Sequence, residues 1–310
     1  MIEVTQLRKH FGDLVAVDGL SFTVEPGEIL GFLGPNGAGK STTMKIITGF
    51  LSPSSGSVSI WGSDIVSDTL EAQRQVGYLP EGAPCYEEMT PRAFLRFIAA
   101  VRGFEGSERE NRINDVIGTL SLETVLDQRI ETLSKGFKRR VGLAQAIIHD
   151  PMVLILDEPT DGLDPNQKHQ VREMIHGLSK DKIVIISTHI LEEVTAVCTR
   201  AVIISRGKIV ADCSPDELEA KSRYHMAVTV SAGSADVEEI ENYMQSLENV
   251  AEVERKGSDL LLIPTSSGAH LLTNVVEVIR EKNWQIEGLL QEKGRLDEVF
   301  RSITEEADHV

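Results

Sequence analysis

Short apolar runs alternate with helix-like patterns through residues 1–222. The runs are rich in branched residues and bounded by turn residues: Ile29–Leu33, Val76–Leu79, Val153–Leu156, Ile183–Ser187 and Ala201–Ser205. Strands that are apolar along their whole length and separated by helices are typical of a largely parallel sheet covered on both faces. The pattern therefore predicts an α/β domain over this part of the chain.

Residues 90–150 interrupt the alternation, because they carry helical patterns without strand-like runs. Thr90 followed by Pro91 is typical of a helix N-terminus. The apolar side chains that follow recur at helical spacing: Phe94, Ile98 and Val101. We therefore expect a helical subdomain inserted into the α/β domain.

A domain boundary is expected near Lys221–Arg223, where the pattern changes again. The elements predicted beyond it are strand Met226–Val230, helix Ala235–Leu247, strand Val250–Arg255, strand Leu260–Pro264, helix Leu271–Lys282, strand Gln285–Leu290 and a closing helix Leu296–Ile303. The order βαββαβ is typical of a ferredoxin-like sandwich. This predicts a small α+β domain over residues 225–310, for which a regulatory role and a passive dimerisation role both stay open.

Composition narrows the classes of protein to consider. Apolar residues make up 41% and charged residues 25%, and 31 basic against 48 acidic side chains give a net charge of −17. An acidic chain argues against a nucleic-acid partner. Three scattered cysteines (Cys85, Cys198 and Cys213) fit neither a disulfide framework nor a zinc site, and indicate a reducing compartment. With neither a signal peptide nor a window near the roughly 20 apolar residues of a membrane span, we expect a cytoplasmic protein without direct membrane insertion.

A glycine-rich segment follows the first apolar run and matches the phosphate-binding motif G-x-x-x-x-G-K-[ST]. Its residues are Gly34, Pro35, Asn36, Gly37, Ala38, Gly39, Lys40 and Ser41. Glycines let successive N–H groups turn inward, and the helix expected at Thr42–Thr48 aims its positive end at the same point. Lys40 is then expected to reach the β- and γ-phosphates of a nucleotide, and the Ser41 hydroxyl to ligate Mg²⁺.

Two adjacent acids end the run Val153–Leu156, at the sheet edge where α/β proteins bind ligands. Asp157 is predicted to assist Mg²⁺ binding and Glu158 to polarise an attacking water. Because side chains alternate along a strand, the two carboxylates are expected to diverge. His189 follows the next apolar run along the chain, where a structural role is the alternative to a catalytic one.

A second helix N-terminus suited to phosphate lies at Leu133–Phe137, LSKGF, before a long helical pattern. Ser134 fits a simple N-cap, but Ser134, Gly136 and a cationic first turn also suit a phosphate. Asp164, in TDGLDP, fits a helix cap ahead of Pro165. For these positions the capping role and a binding role both stay open.

Taken in order and spacing, these motifs resemble the nucleotide-binding subunit of ATP-binding-cassette (ABC) transporters over roughly residues 1–220. The resemblance implies a P-loop NTPase cassette that binds ATP and Mg²⁺ and pairs head to tail with a second cassette, as a homodimer, beneath an integral-membrane permease. The residues it implies for one face are Lys40, Ser41, Thr42, Asp157, Glu158 and His189, and those for the partner's ATP are Ser134 and Gly136, with Asp164 at the dimer seam. Phe11, in HFGDLVAV, matches the aromatic that stacks on adenine, with an ordinary core phenylalanine as the alternative.

Two segments depart from the family pattern. The signature is usually LSGGQ, whereas Lys135 replaces a glycine here and Phe137 the glutamine. Glu81, in VGYLPE, stands where the family has a glutamine that ligates Mg²⁺ and whose loop touches the permease. A carboxylate oxygen still suits a hard cation, so Glu81 is expected to remain a metal ligand while bringing a negative charge towards the γ-phosphate.

The signature, the YLPE segment and a C-terminal domain ending in RLDEVFRSIT resemble the ATPases of ABC-2-type exporters, including gliding-motility and multidrug-type systems. We therefore expect an ATPase that energises a separate export permease on the cytoplasmic face of the membrane. An importer ATPase is one alternative, which the α/β character of the tail disfavours. A soluble ABC ATPase acting on nucleic acid or ribosomes is the other, which the single cassette and acidic tail disfavour.

Overall fold

A computed structural model describes residues 1–82, 85–233, 236–265 and 270–306. The chain forms two compact units, Met1–Ser214 and Pro215–Val310. The division falls ahead of the boundary expected at 221–223, because the short helix Pro215–Glu219 contacts the last helix of the second unit, Leu296–Glu306. Among the described residues, no helix combines the length and apolar character that crossing a membrane requires.

Strands and helices alternate through most of the first unit. Its described strands are β1 (Ile2–Phe11), β2 (Leu14–Val24), β3 (Ile29–Leu33), β4 (Ser55–Ile60), β5 (Ser63–Asp64), β6 (Val76–Leu79), β7 (Val153–Asp157), β8 (Ile183–Thr188), β9 (Arg200–Ser205) and β10 (Lys208–Cys213). Its described helices are α1 (Lys40–Ile47), α2 (Thr69–Arg74), α3 (Pro91–Val101), α4 (Gly106–Thr119), α5 (Lys135–Ile147), α6 (Pro165–Leu178) and α7 (Leu191–Val197), with 3-10 turns at Glu123–Val125 and Ile130–Thr132.

The larger sheet has the strand order β10-β9-β3-β8-β7-β6. Its strands pair in parallel except at the edge, where β10 is antiparallel to β9. Every residue of β3, β7 and β8 is buried, as continuous apolar runs require. The largely parallel sheet predicted from the sequence is confirmed, with strand limits that differ by a residue at most.

A second, antiparallel sheet with the order β2-β1-β4-β5 was not predicted. Its long strands mix buried and exposed positions, so they lack the continuous apolar runs that identified the parallel strands. Buried side chains of this sheet share one core with α1 and with the parallel sheet. The rings of Phe22 and Phe32, 5.7 Å apart between centroids, join the two sheets in that core.

Residues 90–150 contribute helices and no strand in the structure. Thr90 caps α3 through its side-chain oxygen, which accepts a hydrogen bond from Ala93 N at 3.2 Å, and Pro91 is the first helical residue. Helix α5 passes so close to β6 that a Cβ added to Gly77 would lie 2.1 Å from Ala146 O. The glycine in VGYLPE thus lets the helical region pack directly on the edge strand β6.

The second unit begins with helix α8 (Pro215–Glu219) and has an antiparallel sheet with the order β12-β13-β11-β14. Its remaining elements are β11 (Val228–Ser231), α9 (Val237–Gln245), β12 (Val250–Lys256), β13 (Asp259–Pro264), α10 (Leu271–Lys282), β14 (Gly288–Gln291) and α11 (Leu296–Glu306). This order and pairing confirm the ferredoxin-like sandwich. The predicted start of its first helix at Ala235 lies outside the described residues.

His149, just after α5, is a half-buried polar contact between that helix and β6. Its Nε2 donates to Val76 O at 3.0 Å, and its Nδ1 is buried without a hydrogen-bond partner among the described residues. Burial, with a smaller contribution from the Arg102 charge, lowers the pKa of His149 to about 4. The folded protein therefore holds this ring neutral at a pH where the unfolded chain would protonate it.

This gives an expected dependence of stability on pH. The unfolded chain binds the extra proton between pH 6.5 and about 4, so the free energy of unfolding should fall as the pH drops through that window. We expect His149→Gln, which keeps a neutral donor, to remove about 1–2 kcal/mol of the loss that the wild type suffers between pH 7.5 and 5. Urea unfolding at both pH values measures it, and the two proteins should match at pH 7.5. Parallel losses would contradict the role given to this ring.

Candidate functional site

The site forms where neighbouring parallel strands end. Leu33 of β3 pairs with Thr188 of β8, Ser187 pairs with Asp157 of β7, and Leu156 pairs with Leu79 of β6. Because the pairing is parallel, the segments after these strands leave the sheet at one edge. The glycine-rich loop, the acid pair, His189 and Glu81 are thereby brought together.

Backbone crowding explains the glycines of the loop between β3 and α1. A Cβ added to Gly34 would lie 2.5 Å from Ile204 O, and one added to Gly39 would lie 2.4 Å from Ala16 O. Gly37 and Gly39 have φ values of 83° and 107°, which other residues adopt only with strain. No side chain caps the N-terminus of α1, and its first turn carries no acid. Free N–H groups at this helix end suit an anion.

Lys40, the first residue of α1, is 7% exposed. Its Nζ donates to Gly34 O at 2.6 Å and to Pro35 O at 3.3 Å, across the loop. Burial lowers the pKa of Lys40, while the nearby carboxylates of Glu158, Asp157 and Glu81 oppose this shift. Among the described residues the ammonium is hydrogen-bonded by these carbonyl oxygens and by no carboxylate, so it is available to an arriving phosphate.

The two acids after β7 occupy different settings. Asp157 ends the strand and is 3% exposed, and burial raises its pKa, with Glu158 and Glu81 acting in the same direction. Glu158 leaves the strand through a left-handed backbone, φ 49°, while its N–H donates to Ser187 O at 2.8 Å. Strain of this kind is concentrated at functional positions.

His189 and Thr188 fix the Glu158 side chain. The His189 Nδ1 lies 2.8 Å from Glu158 Oε1, and the Thr188 hydroxyl lies 3.4 Å from Oε2. Thr188 is fully buried and accepts a hydrogen bond from Ile190 N, which holds the end of β8 in place. His189, for which structural and catalytic roles were left open, thus touches the Glu158 carboxylate. Thr188 is a contributor that the sequence did not identify.

A cavity of about 410 Å³ opens over these groups. The residues that line it are Phe11, Leu14, Val15, Ala16, Asn36, Gly37, Gly39, Lys40, Ser41, Thr42, Glu81, Glu158, Asp161 and His189. Phe11 is 47% exposed, which excludes the alternative of a core phenylalanine. Leu14–Ala16 form part of the wall and were missed, because only the structure shows that apolar residues beside Phe11 in the chain lie outside the core. A cavity of this size suits a small organic ligand.

Seven predicted site residues do not line this cavity: Gly34, Pro35, Ala38 and Asp157, which lie close to lining residues in the chain, and Ser134, Gly136 and Asp164, which lie elsewhere in the sequence. Ser134 caps α5 by accepting from Phe137 N at 3.3 Å, and Asp164 caps α6 by accepting from Gln167 N at 2.9 Å. Gly136 lies against α6, where a Cβ would be 2.6 Å from Gln167 Oε1. The capping roles left open by the sequence are therefore present, and any role in nucleotide binding would involve another chain.

The charges of the site test whether it suits Mg²⁺. Glu81, Asp157 and Glu158 act on one ammonium, that of Lys40, which leaves negative charge in excess. No set of three or more acidic, histidine or cysteine ligands for a metal occurs in the described part of the chain. Mg²⁺ characteristically binds through one or two carboxylates together with substrate phosphates rather than in an all-protein cage. Carboxylate and hydroxyl oxygens beside a loop that suits phosphate fit this way of binding Mg²⁺.

The fold and this cavity define the chain as a nucleotide-binding protein of the phosphate-loop class. A family model described as "ABC transporter" matches residues 17–161. Nod factor export ATP-binding protein I of Burkholderia pseudomallei is 38% identical over 215 residues, 69% of this chain and 71% of the relative. The chain therefore belongs to the ABC transporter ATP-binding family.

Other comparisons agree with that assignment. The probable multidrug ABC transporter ATP-binding protein YbhF of Escherichia coli is 37% identical over 223 residues, 72% of this chain but 38% of the relative's length. A solved ATP-binding subunit of an ABC transporter superposes with a TM-score of 0.65 at 32% identity, covering 71% of this chain and 92% of that one. The shared region is the cassette, and the chain spans well under half the length of the multidrug relative.

The loop glycines offer a matched pair of substitutions. Gly37→Ala adds only the cost of a left-handed alanine, about 1–2 kcal/mol, because no atom lies within 4 Å of the new Cβ. Gly39→Ala adds the same backbone cost and a clash with Ala16 O, so it should destabilise the protein more and abolish nucleotide binding. Urea unfolding and titration with a fluorescent ADP derivative measure both effects. Equal losses in the two variants would contradict the crowding argument.

Proposed function

We propose that the chain binds ATP with Mg²⁺ and hydrolyses it, with Glu158 orienting the attacking water. The observation that carries this proposal is the Glu158 carboxylate on the cavity wall, held by His189 at 2.8 Å and facing the same cavity as Lys40. A fixed carboxylate with an imidazole partner suits a group that positions water and accepts its proton.

Each remaining residue has a role in holding the nucleotide. The N–H groups of Asn36, Gly37 and Gly39 and of the first turn of α1, including Thr42, surround the phosphates. Lys40 exchanges its carbonyl partners for phosphate oxygens. Phe11 stacks on the adenine. Ser41, Glu81 and Asp157 are the ligands proposed for Mg²⁺, which when bound neutralises the phosphate charge. Catalysis then depends on positioning and on fixed charges rather than on covalent chemistry.

A second cassette completes the site. Ser134 is exposed and Gly136 opens the first turn of α5, yet neither lines the cavity of its own chain. We propose that a second copy of the chain presents these residues to the bound ATP, with Asp164 at the seam. Two identical cassettes arranged head to tail would each supply the group that the other lacks.

A membrane permease is the partner that we propose for the cassette pair. Export is the direction of transport that we propose. Two relatives carry names that denote multidrug transport and Nod factor export.

An apolar cavity of about 750 Å³ includes Tyr86 from the loop after Glu81, beside the exposed rings of Phe50 and Phe97. Exposed apolar surface of this kind marks protein contacts. A short apolar helix on the cytoplasmic side of the permease is the occupant we propose, which would place the protein at that membrane face.

The hydrolytic proposal predicts a trapped state. Glu158→Gln keeps the size of the side chain but cannot accept the proton of water, so ATP turnover should fall at least a hundredfold while an ATP-bound dimer accumulates. Phosphate release and size-exclusion chromatography with ATP measure the two effects. Lys40→Ala should instead lose nucleotide affinity and remain monomeric. Turnover near the wild-type rate in Glu158→Gln would mean that another residue orients the water.

Variants of Glu81 and Phe97 distinguish a role in metal binding from a role in coupling to the permease. Glu81 lines the same cavity as Lys40, and we propose that its carboxylate approaches the γ-phosphate. Glu81→Gln should therefore reduce the dependence of ATP affinity on Mg²⁺ by roughly three- to tenfold, about 1 kcal/mol. Phe97→Ser, on the apolar cavity, should leave that dependence unchanged and reduce stimulation of the ATPase by the permease. Fluorescent ATP titrations across Mg²⁺ concentrations distinguish the variants. An unchanged Mg²⁺ response and unchanged coupling in Glu81→Gln would refute the role given to Glu81.

A further inference from the structure

A second, smaller cavity adjoins the nucleotide cavity in the first unit. It has a volume of about 210 Å³ and is lined by Gly82, Lys135, Lys138, Arg139, Asp161 and Gly162. Asp161 lines both cavities, and Glu81, the neighbour of Gly82 in the chain, lines the larger one. The smaller cavity therefore meets the nucleotide cavity along a shared wall.

Cations dominate the lining of the small cavity. Three of its six lining residues are basic and one is acidic. Arg139 is 7% exposed, and its Nη1 is buried with no hydrogen-bond partner among the described residues. A buried guanidinium donor without a partner is costly. Burial lowers the pKa of Arg139, and the charge that opposes this shift most strongly is that of Asp161. Such a group indicates a missing acceptor.

The position of these cations on α5 strengthens the case. Lys135, Lys138 and Arg139 all lie within the first five residues of the helix, whose first turn contains no acid. The N-terminus of a helix carries partial positive charge, so each cation here is disfavoured by a few tenths of a kcal/mol up to about 1 kcal/mol. Lys138 has the exposed Glu87 at 3.3 Å, while Lys135 lies over Gly162. An anion in the cavity would offset both the helix charge and the side-chain charges.

We propose that this cavity binds inorganic phosphate, and that the phosphate released by ATP hydrolysis enters it across the wall formed by Asp161. The route from ATP rests on the hydrolysis proposed above, whereas the binding of inorganic phosphate does not. The small cavity has about half the volume of the nucleotide cavity, which is too little for ATP. It is large enough for a phosphate ion with some water, since one water occupies about 30 Å³. Guanidinium and ammonium donors match a tetrahedral oxyanion. The Asp161 carboxylate repels the dianion, so binding is weak enough for the product to leave.

Phosphate titration of the full-length protein without nucleotide tests the site directly. We expect two phosphates per chain, one in the loop before α1 and one in the small cavity. Lys135→Ala combined with Lys138→Ala should weaken the second by at least tenfold and leave the first, whereas Lys40→Ala should do the opposite. Lys180→Ala, which removes an exposed cation elsewhere in the unit, and the charge-preserving Lys135→Arg should retain both. A single phosphate that Lys40→Ala abolishes would overturn the proposal.

The source of the phosphate needs a kinetic measurement. In a single turnover, the delay between ATP cleavage and the appearance of free phosphate should shorten at least twofold in Lys135→Ala combined with Lys138→Ala, with the cleavage step measured separately. A shorter delay supports capture of the product. An unchanged delay with weakened phosphate titration overturns the route and leaves a site for free phosphate. Loss of cleavage would instead contradict the hydrolytic function, and the titration would still report on the cavity.

Discussion

The parallel register of β3, β8, β7 and β6 is the constraint on which the site depends. It brings the ends of four strands to one edge, so residues separated by more than 100 positions in the chain share a cavity. A shift of one strand by a single residue would turn each of its side chains to the opposite face of the sheet and displace the segment that follows it. The buried strands therefore fix the geometry of the site as firmly as they fix the fold.

Charge in the cavity is unbalanced, and this imbalance favours binding of a nucleotide together with a divalent cation. The charges of Glu81, Asp157 and Glu158 all act on one lysine, Lys40, whose ammonium is held by backbone carbonyls. A phosphate bound alone would be repelled by these carboxylates, and a cation bound alone would be repelled by the ammonium and the helix N-terminus. Each ion therefore offsets the electrostatic cost of binding the other. The cationic cavity behind Asp161 has the reverse imbalance, which suits the anionic product of the same reaction.

Local patterns predicted much of this structure. The limits of the parallel strands were predicted to within a residue, because continuous runs of branched apolar residues are typical of buried strands. The loop before α1 was predicted from its motif. The antiparallel sheet and the wall at Leu14–Ala16 were missed, since their strands mix buried and exposed positions and their role depends on what packs beside them. The exposure of Phe11 and the contact of Thr188 with Glu158 also depend on neighbours distant in sequence.

The sequence by itself determined the family, the order of the parallel strands, and the residue types able to hold phosphate and a hard cation, because these follow from local periodicity and motif spacing. Only the tertiary structure decided which charges face one another. Glu158 reaches His189 through a left-handed turn. Arg139 Nη1 is buried with no hydrogen-bond partner among the residues that the structure describes, in a cavity that Asp161 also lines. Contacts of this kind arise between segments that the chain brings together only when the sheet has formed, so no local pattern encodes them.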